Sequence, residues 1–507
     1  MGITGLVFLS SGLFLGWSLG ASNAANIFGT AVTSRMLKFR TAAIVCSVFV
    51  TLGAVISGAG AAHTLGSLGT VNALGGSFVT AFAAAFTVYS MVKVGMPVSV
   101  TQAVVGAIIG WNWFTDSVTD INSVIKIAGT WVSCPLLAAV FAGILYFGLK
   151  RFFRSANVHL LRRDAYTRAA MILTGAFGAY SLGANNMANV VGVFIPVAPF
   201  TDMTIGHFHI TAVQQLFFVG SLAVSVGVFT YSHKVMSTVG NDLISLSPFT
   251  AWIVVLAQSL VLFLFASESL EYFLASHNLP TVPLVPVSNT QAVVGAVIGI
   301  GLFKGGVKNI KWGVVLRIIY GWVISPLIAA LICFFALFFM QNVFNQRVYI
   351  PKTYLLSEKV FNKMVSEGYS GSKLTLLKGE RFNSGVEFID AVENRLGDLS
   401  GAQQQQLLET AELVKLYINP EKIEYLDSSL FTPEQLAQVR ELSGRRFNYR
   451  WELQEALTAL SSNWAYLPET ILNKQHNKRI AQDMSVLEST FIVRDPPKRR
   501  RPAADAW

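Results

Sequence analysis

The chain has 507 residues, 53% of them hydrophobic and 13% charged, with a formal net charge of +10 and a mean hydropathy of +0.52. That balance excludes an ordinary soluble protein and a disordered one, and it points to an integral membrane protein. Seven of the 28 acidic residues precede Gln346, so 21 follow it; 16 of the 38 basic residues precede it, so 22 follow. The positive excess therefore sits in the apolar part, where it reads as loop orientation rather than nucleic-acid binding.

Apolar runs near 3–22, 41–62, 75–95, 98–114 and 125–149 form a first set, and 169–195, 208–231, 249–266, 286–303 and 312–342 a second. Several approach the ~20 residues that cross a bilayer. The first run has no basic flank and holds a motif that recurs later, so it reads as an uncleaved helix rather than a signal peptide. Runs 98–114 and 286–303 are short and begin at a proline, which suits re-entrant hairpins buried inside protein. Residues 151–168, between the sets, read as a basic loop with Arg151, Arg154, Arg162, Arg163 and Arg168. Cys46, Cys134 and Cys333 lie in apolar runs without disulfide or zinc spacing and read as small buried hydrophobes. Residues 346–495 read as a soluble, mainly helical domain. It has a helical pattern over Ser400–Ile418, a helix opening at Thr432-Pro433, and a disordered end at 496–507. No catalytic motif is legible there.

The two sets repeat each other. PVSVTQAVVGAIIG at Pro97–Gly110 matches PVSNTQAVVGAVIG at Pro286–Gly299 in twelve of fourteen positions. GASNAAN at Gly20–Asn26 matches GANNMAN at Gly183–Asn189, and WVSCPLLAA from Trp131 matches WVISPLIAA from Trp322. A duplicated apolar chain interrupted by Gly and Pro marks a secondary transporter of two repeats, here 1–150 and 169–345. If the basic loops face the cytoplasm, the halves have opposite orientations. That makes an inverted repeat, with the N-terminus and the C-terminal domain both outside.

Asn23/Asn26 and Asn186/Asn189 stand at i and i+3, on one helical face. Buried amides need partners. They read either as oxygen ligands for a hard cation such as Na+ or as glue between closely packed helices. Ser99, Thr101 and Gln102, with Ser288, Thr290 and Gln291, follow the prolines. They read as an anion site at half-helix N-termini or as plain N-caps. Lys126 and Arg317 each precede the repeated Trp by five residues. They read as intramembrane charge compensation or as side chains snorkelling to an interface. Nucleophile–base pairs and P-loops are not found, so an enzyme is not expected.

These motifs resemble the inorganic phosphate transporter (PiT) family over Met1–Gln341. Each repeat of that family carries a GAND-x-(A/S)N segment and a P-V-S-(T/S)-T-H segment. HKVMSTVGNDLISLSP at His233–Pro248 is similar to a further family stretch. The resemblance implies cation-coupled phosphate import by alternating access, through an inverted repeat of broken helices and hairpins. It implies cation ligands at Ser22, Asn23, Asn26, Asn185, Asn186 and Asn189, and substrate ligands at Ser99, Thr101, Gln102, Ser288, Thr290 and Gln291. No cofactor is expected beyond Na+ or H+ as coupling ion. The expected partners are an oxyanion, the lipid bilayer and a second copy of the chain as a homodimer, in a bacterial inner membrane. The chain departs from the pattern at Asn23 and Asn186, where the family has Asp, at Gln102 and Gln291, where it has His, and at Ser22. A site without those carboxylates suggests sulfate or another unprotonated oxyanion as the alternative substrate, or a non-transporting anion sensor.

Overall fold

Helices dominate the described residues, which are 3–33, 35–94, 96, 98–155, 159–205, 208–233, 247–307, 310–426 and 430–493 of a computed structural model. The chain divides into two units, Met1–Ile350 and Pro351–Trp507. The first unit runs through α1 (Ile3–Thr33), α2 (Phe39–Ser57), α3 (Ala59–Leu68), α4 (Leu74–Lys93), α5 (Val100–Thr115) and α6 (Ile121–Ser155). It continues through α7 (Leu160–Val191), α8 (Ala212–Thr230), α9 (Pro248–Leu264), α10 (Glu268–Ser276), α11 (Asn289–Gly305) and α12 (Trp312–Asn342). A short antiparallel hairpin, β1 (Met203–Ile205) with β2 (Phe208–Ile210), joins α7 to α8 and pairs Met203 with Ile210.

Six described helices are long and apolar enough to cross a membrane, in α1, α2, α4, α6, α8 and α12. The pair α9–α10, bent by 71°, counts as a seventh if it forms one broken span rather than a re-entrant loop. Large apolar side chains such as Val132, Leu136, Val140, Ile144, Leu327 and Phe335 stay exposed along α6 and α12. An exposed apolar surface of that extent is stable only against lipid, so the first unit is a multi-pass membrane unit. The helices α5 and α11 have 16 and 17 residues and are buried along most of their length. The segment expected as a basic loop is largely helix instead: Arg151 and Arg154 end α6, and Arg162, Arg163 and Arg168 open α7. Arg is a good helix former, so helices persist beyond their apolar stretches. His233 is exposed and packs edge-on against Phe39, while 234–246 of the stretch that it opens lie outside the described residues.

Two helix contacts repeat each other. The helix α5 lies against α12, and α11 lies against α6. In the first contact a Cβ on Gly106 would collide with the carbonyl of Pro326; in the second a Cβ on Gly295 would collide with the carbonyl of Pro135. Glycine at these positions lets each short helix touch the backbone of the long one. The prolines lie inside α12 and α6, where a missing N–H already interrupts the hydrogen-bond ladder.

The second unit contains a duplication that the apolar pattern does not reveal. Gly379–Asn383 and Gly444–Asn448 both read Gly-x-Arg-Phe-Asn. Each Gly has a positive φ, 86° and 78°, and donates its N–H to a carbonyl, Leu356 at 2.7 Å and Ile418 at 2.8 Å. Each Arg-Phe pairs with a two-residue strand, Tyr354–Leu355 or Leu416–Tyr417. Each Asn N–H then meets a carboxylate four residues on, Glu387 at 2.9 Å or Glu452 at 2.8 Å. The helix expected over Ser400–Ile418 covers Gly401–Ala411, because Leu416–Tyr417 is taken by a strand. Thr432 caps the helix Pro433–Glu441 through a capping box with Gln435, as its sequence predicts. Residues 494–507, most of them expected to be disordered, lie outside the described residues.

Candidate binding site

The short helices α5 and α11 start alike. Ser99 precedes α5 and accepts the Gln102 N–H at 3.3 Å; Ser288 precedes α11 and accepts the Gln291 N–H at 3.3 Å. Each cap satisfies one of the first-turn N–H groups that have no intrahelical acceptor. The two starts also cross. The Thr101 hydroxyl donates to the Val287 carbonyl at 3.4 Å, and the Thr290 hydroxyl donates to the Val98 carbonyl at 3.3 Å. The N-terminus of each short helix is thus held by the chain leading into the other. The sequence repeats are seated face to face.

The second Asn motif joins this cluster. Asn189 donates to the Thr101 hydroxyl at 2.9 Å and to Asn186 Oδ1 at 3.2 Å. Asn185 Oδ1 accepts the Val287 N–H at 3.0 Å, and its Nδ2 donates to the Val285 carbonyl at 3.4 Å. Asn186 donates to Asn185 Oδ1 at 3.5 Å. All three amides are buried, and the motif therefore locates the lead-in to α11 as well as the first turn of α5. A Cβ on Gly183 would strike the Val50 carbonyl of α2, so this part of α7 is pressed against its neighbour.

The first motif is placed differently. Asn23 is buried, while Ser22 and Asn26 are half-buried. The Ser22 hydroxyl donates back to the Ser18 carbonyl at 2.9 Å and to Asn23 Oδ1 at 3.4 Å. The Asn26 carbonyl accepts from Gln258 of α9 at 3.3 Å. A small open cleft of ≈ 30 Å³ reaches Ser22 and is lined by Trp17, Ser18, Tyr89, Lys93 and Tyr231 among others. The Lys93 ammonium lies 5.5 Å from the Tyr89 ring centroid. The hydrogen bonds described here tie the second motif to the hairpin helices and the first motif to α9.

Several buried polar atoms in and around the cluster have no hydrogen-bond partner among the described residues. They are Gln102 Oε1, Asn189 Oδ1, both amide atoms of Asn289 and both of Gln291. Trp131 Nε1 and Trp322 Nε1, the indoles of the third repeated motif, share that state, as do Gln258 Oε1 and Ser325 Oγ. Asn289, Gln258 and the two indoles are absent from the sequence-based ligand set. Asn289 could be found as one of two mismatches in the long repeat, and the indoles as part of the repeated motif that starts at Trp131 and Trp322; Gln258 has no sequence signal beyond a polar residue in an apolar run. Lys126 and Arg317 are exposed on α6 and α12, apart from the buried amides. Among the described residues, no group of three His, Cys, Asp or Glu side chains is placed to hold a metal ion. The three cysteines are free and buried, with Cys134 Sγ 3.7 Å from the Ser288 carbonyl. The cluster is therefore neutral, rich in amides and hydroxyls, and faced by two helix N-termini.

The model of the phosphate transporter family (PHO4) matches residues 19–271 and 277–460. A Methanocaldococcus jannaschii protein named "Putative phosphate permease" is 28% identical over 324 residues, 63% of this chain and 93% of that protein. The sulfate permease CysP of Bacillus subtilis is 26% identical over 351 residues, 68% of this chain and 90% of that protein. Among solved structures, one titled "The sodium-dependent phosphate transporter" shares the fold with a TM-score of 0.52 at 20% identity, covering 67% of this chain and 100% of that one.

Proposed function

Since this chain belongs to the phosphate transporter family, a family of transporters rather than enzymes, we propose that it carries inorganic phosphate across the membrane with the anion held between the N-termini of α5 and α11. The observation that carries this reading is the reciprocal tie of the two helix starts, Thr101 to Val287 and Thr290 to Val98. It brings two sets of first-turn N–H groups and two Ser caps to one buried place. Helix N-termini hold anions through N–H groups and the helix dipole without a full positive charge.

Transport proceeds by alternating access in this reading. The matched contacts of α5 with α12 and α11 with α6 support two halves that are related as inverted repeats and move against each other around a fixed site. Coupling to Na+ is the companion proposal. It is supported by amide and carbonyl oxygens at Asn23, Asn26, Asn186 and Asn189, and by the shared fold with a transporter titled as sodium-dependent. Neutral amides in place of carboxylates hold such a cation weakly, so the coupling is shallow in Na+ concentration. The second unit is read as a soluble appendage, and the membrane as the inner (plasma) membrane of a bacterium. That location fits the plasma-membrane setting of a nutrient permease.

The test is uptake of labelled phosphate into proteoliposomes under an imposed Na+ gradient, an imposed proton gradient, and neither. Accumulation that needs the Na+ gradient supports the whole reading. Accumulation driven by protons alone overturns Na+ coupling, and sulfate uptake without phosphate uptake overturns the substrate.

A further inference from the structure

The two short helices are equivalent in backbone and unequal in chemistry. At the first helical position α5 has Val100 and α11 has Asn289. Asn289 is 1% exposed, and neither its Nδ2 nor its Oδ1 has a partner among the described residues. Gln291, two residues on, is also 1% exposed with both amide atoms unpartnered. A polar atom buried away from water without a hydrogen bond is destabilising. An amide presents one donor end and one acceptor end whichever way it is flipped. Asn289 and Gln291 therefore each bring one unpaired donor and one unpaired acceptor to the start of the same helix.

That combination selects a ligand. A cation satisfies the carbonyl ends and is repelled by the NH2 ends. An unprotonated oxyanion satisfies the NH2 ends and sets a charged oxygen against the carbonyl ends. An oxyanion that still bears a proton satisfies both, since its bare oxygens accept and its hydroxyl donates. We infer that Asn289 reads the proton on the transported anion, so that the α11 half of the site, which alone has an amide at the first helical position, takes the protonated oxygen in preference to the α5 half with Val100.

This rests on the proposal that the two helix starts hold the anion, and it names what distinguishes phosphate there. At neutral pH phosphate carries one or two protons and sulfate none. A site built to bond a substrate hydroxyl rejects the analogue that lacks it, because its own buried groups are left unpaired. On this inference the unpaired amide of Asn289 favours phosphate, against the expectation that the loss of carboxylates at Asn23 and Asn186 favours sulfate.

The experiment measures phosphate and sulfate affinity by calorimetry on the purified full chain, with uptake into proteoliposomes alongside. It compares wild type, Asn289→Val and Val100→Asn. The first variant places in α11 the residue that α5 already tolerates at the same backbone position. The phosphate-over-sulfate ratio of Asn289→Val is expected to fall about tenfold or more, the size of one hydrogen bond to a charged group, and that of Val100→Asn to rise. Phosphate binding that tightens on acidification in wild type should flatten in Asn289→Val. An unchanged ratio in Asn289→Val with phosphate still bound overturns the role of Asn289 and leaves phosphate transport standing. If Asn289→Val does not fold, a ratio that fails to rise in Val100→Asn overturns it equally. Wild-type chain that neither binds nor moves phosphate overturns the functional reading itself.

Discussion

Asn186 is 2% exposed and stands where the family resemblance expects Asp. A carboxylate there would be desolvated, and the natural way to keep it charged is a bound cation. Asn186→Asp and Asn23→Asp are each expected to steepen the dependence of uptake on external Na+ concentration. If both leave that dependence unchanged in a proteoliposome titration, the Asn motifs do not line a cation site. The Thr101 hydroxyl accepts from Asn189 and donates to the Val287 carbonyl, so it both positions the helix start and can turn toward an anion. Thr101→Val combined with Thr290→Val removes two hydroxyls of nearly unchanged size. Each lost hydrogen bond to a charged ligand is worth about 1.5–3 kcal/mol, so the KM for phosphate should rise at least tenfold. Full retention of KM would move the anion elsewhere.

At the scale of elements, the matched contacts of α5 with α12 and α11 with α6 depend on glycine. Gly106→Ala drives a Cβ into the Pro326 carbonyl, and Gly295→Ala drives one into the Pro135 carbonyl. Overpacking against rigid backbone costs about 1–3 kcal/mol. Both variants should therefore lower the melting temperature of the detergent-solubilised chain, whereas Gly129→Ala, with open space around its Cβ, should not. Much of this architecture is legible in the sequence, because the repeated PVSxTQ and GAxN segments are local chemistry that survives duplication. The sequence does not reveal which partner each amide takes. The bond from Asn189 to Thr101 and that from Val287 N–H to Asn185 join residues far apart in the chain, and no local pattern specifies them. The helical ends within 151–168 are not legible in the sequence, because charge density says where the bilayer ends and not where a helix ends. In the second unit the Gly-x-Arg-Phe-Asn turn recurs in an otherwise divergent stretch, and its meaning emerges only when the strand pairings are seen.

At the scale of the whole molecule, the two units respond differently to pH. The candidate site has amides at the positions where the family resemblance expects titratable groups. The second unit contains Asp483, buried, held by Gln435 at 3.1 Å. Burial pushes its carboxyl above the ordinary value, against the opposing pull of the Gln435 hydrogen bond and the Arg479 charge. A raised folded-state value means that the folded state holds the proton more tightly than the unfolded one. The associated stability is fully present below the ordinary Asp value and is lost as pH rises through the folded value. The Asp483 contribution should therefore protect the second unit more near the ordinary Asp value than at neutral pH, as read by hydrogen exchange over Ile480–Phe491 in the full chain and corrected for intrinsic rates. Asp483→Asn should remove that slope. The crossed helix contacts of the first unit also bear on how the chain is made. A ribosome delivers α5 to the membrane long before it delivers α12, and Gly106 finds the Pro326 carbonyl only after nearly the whole first unit has been synthesised. Until Val287 is made, the Thr101 hydroxyl at the start of α5 lacks its carbonyl acceptor in the lead-in to α11. The ties that cross between the two helix starts can therefore form only late in the synthesis of the first unit.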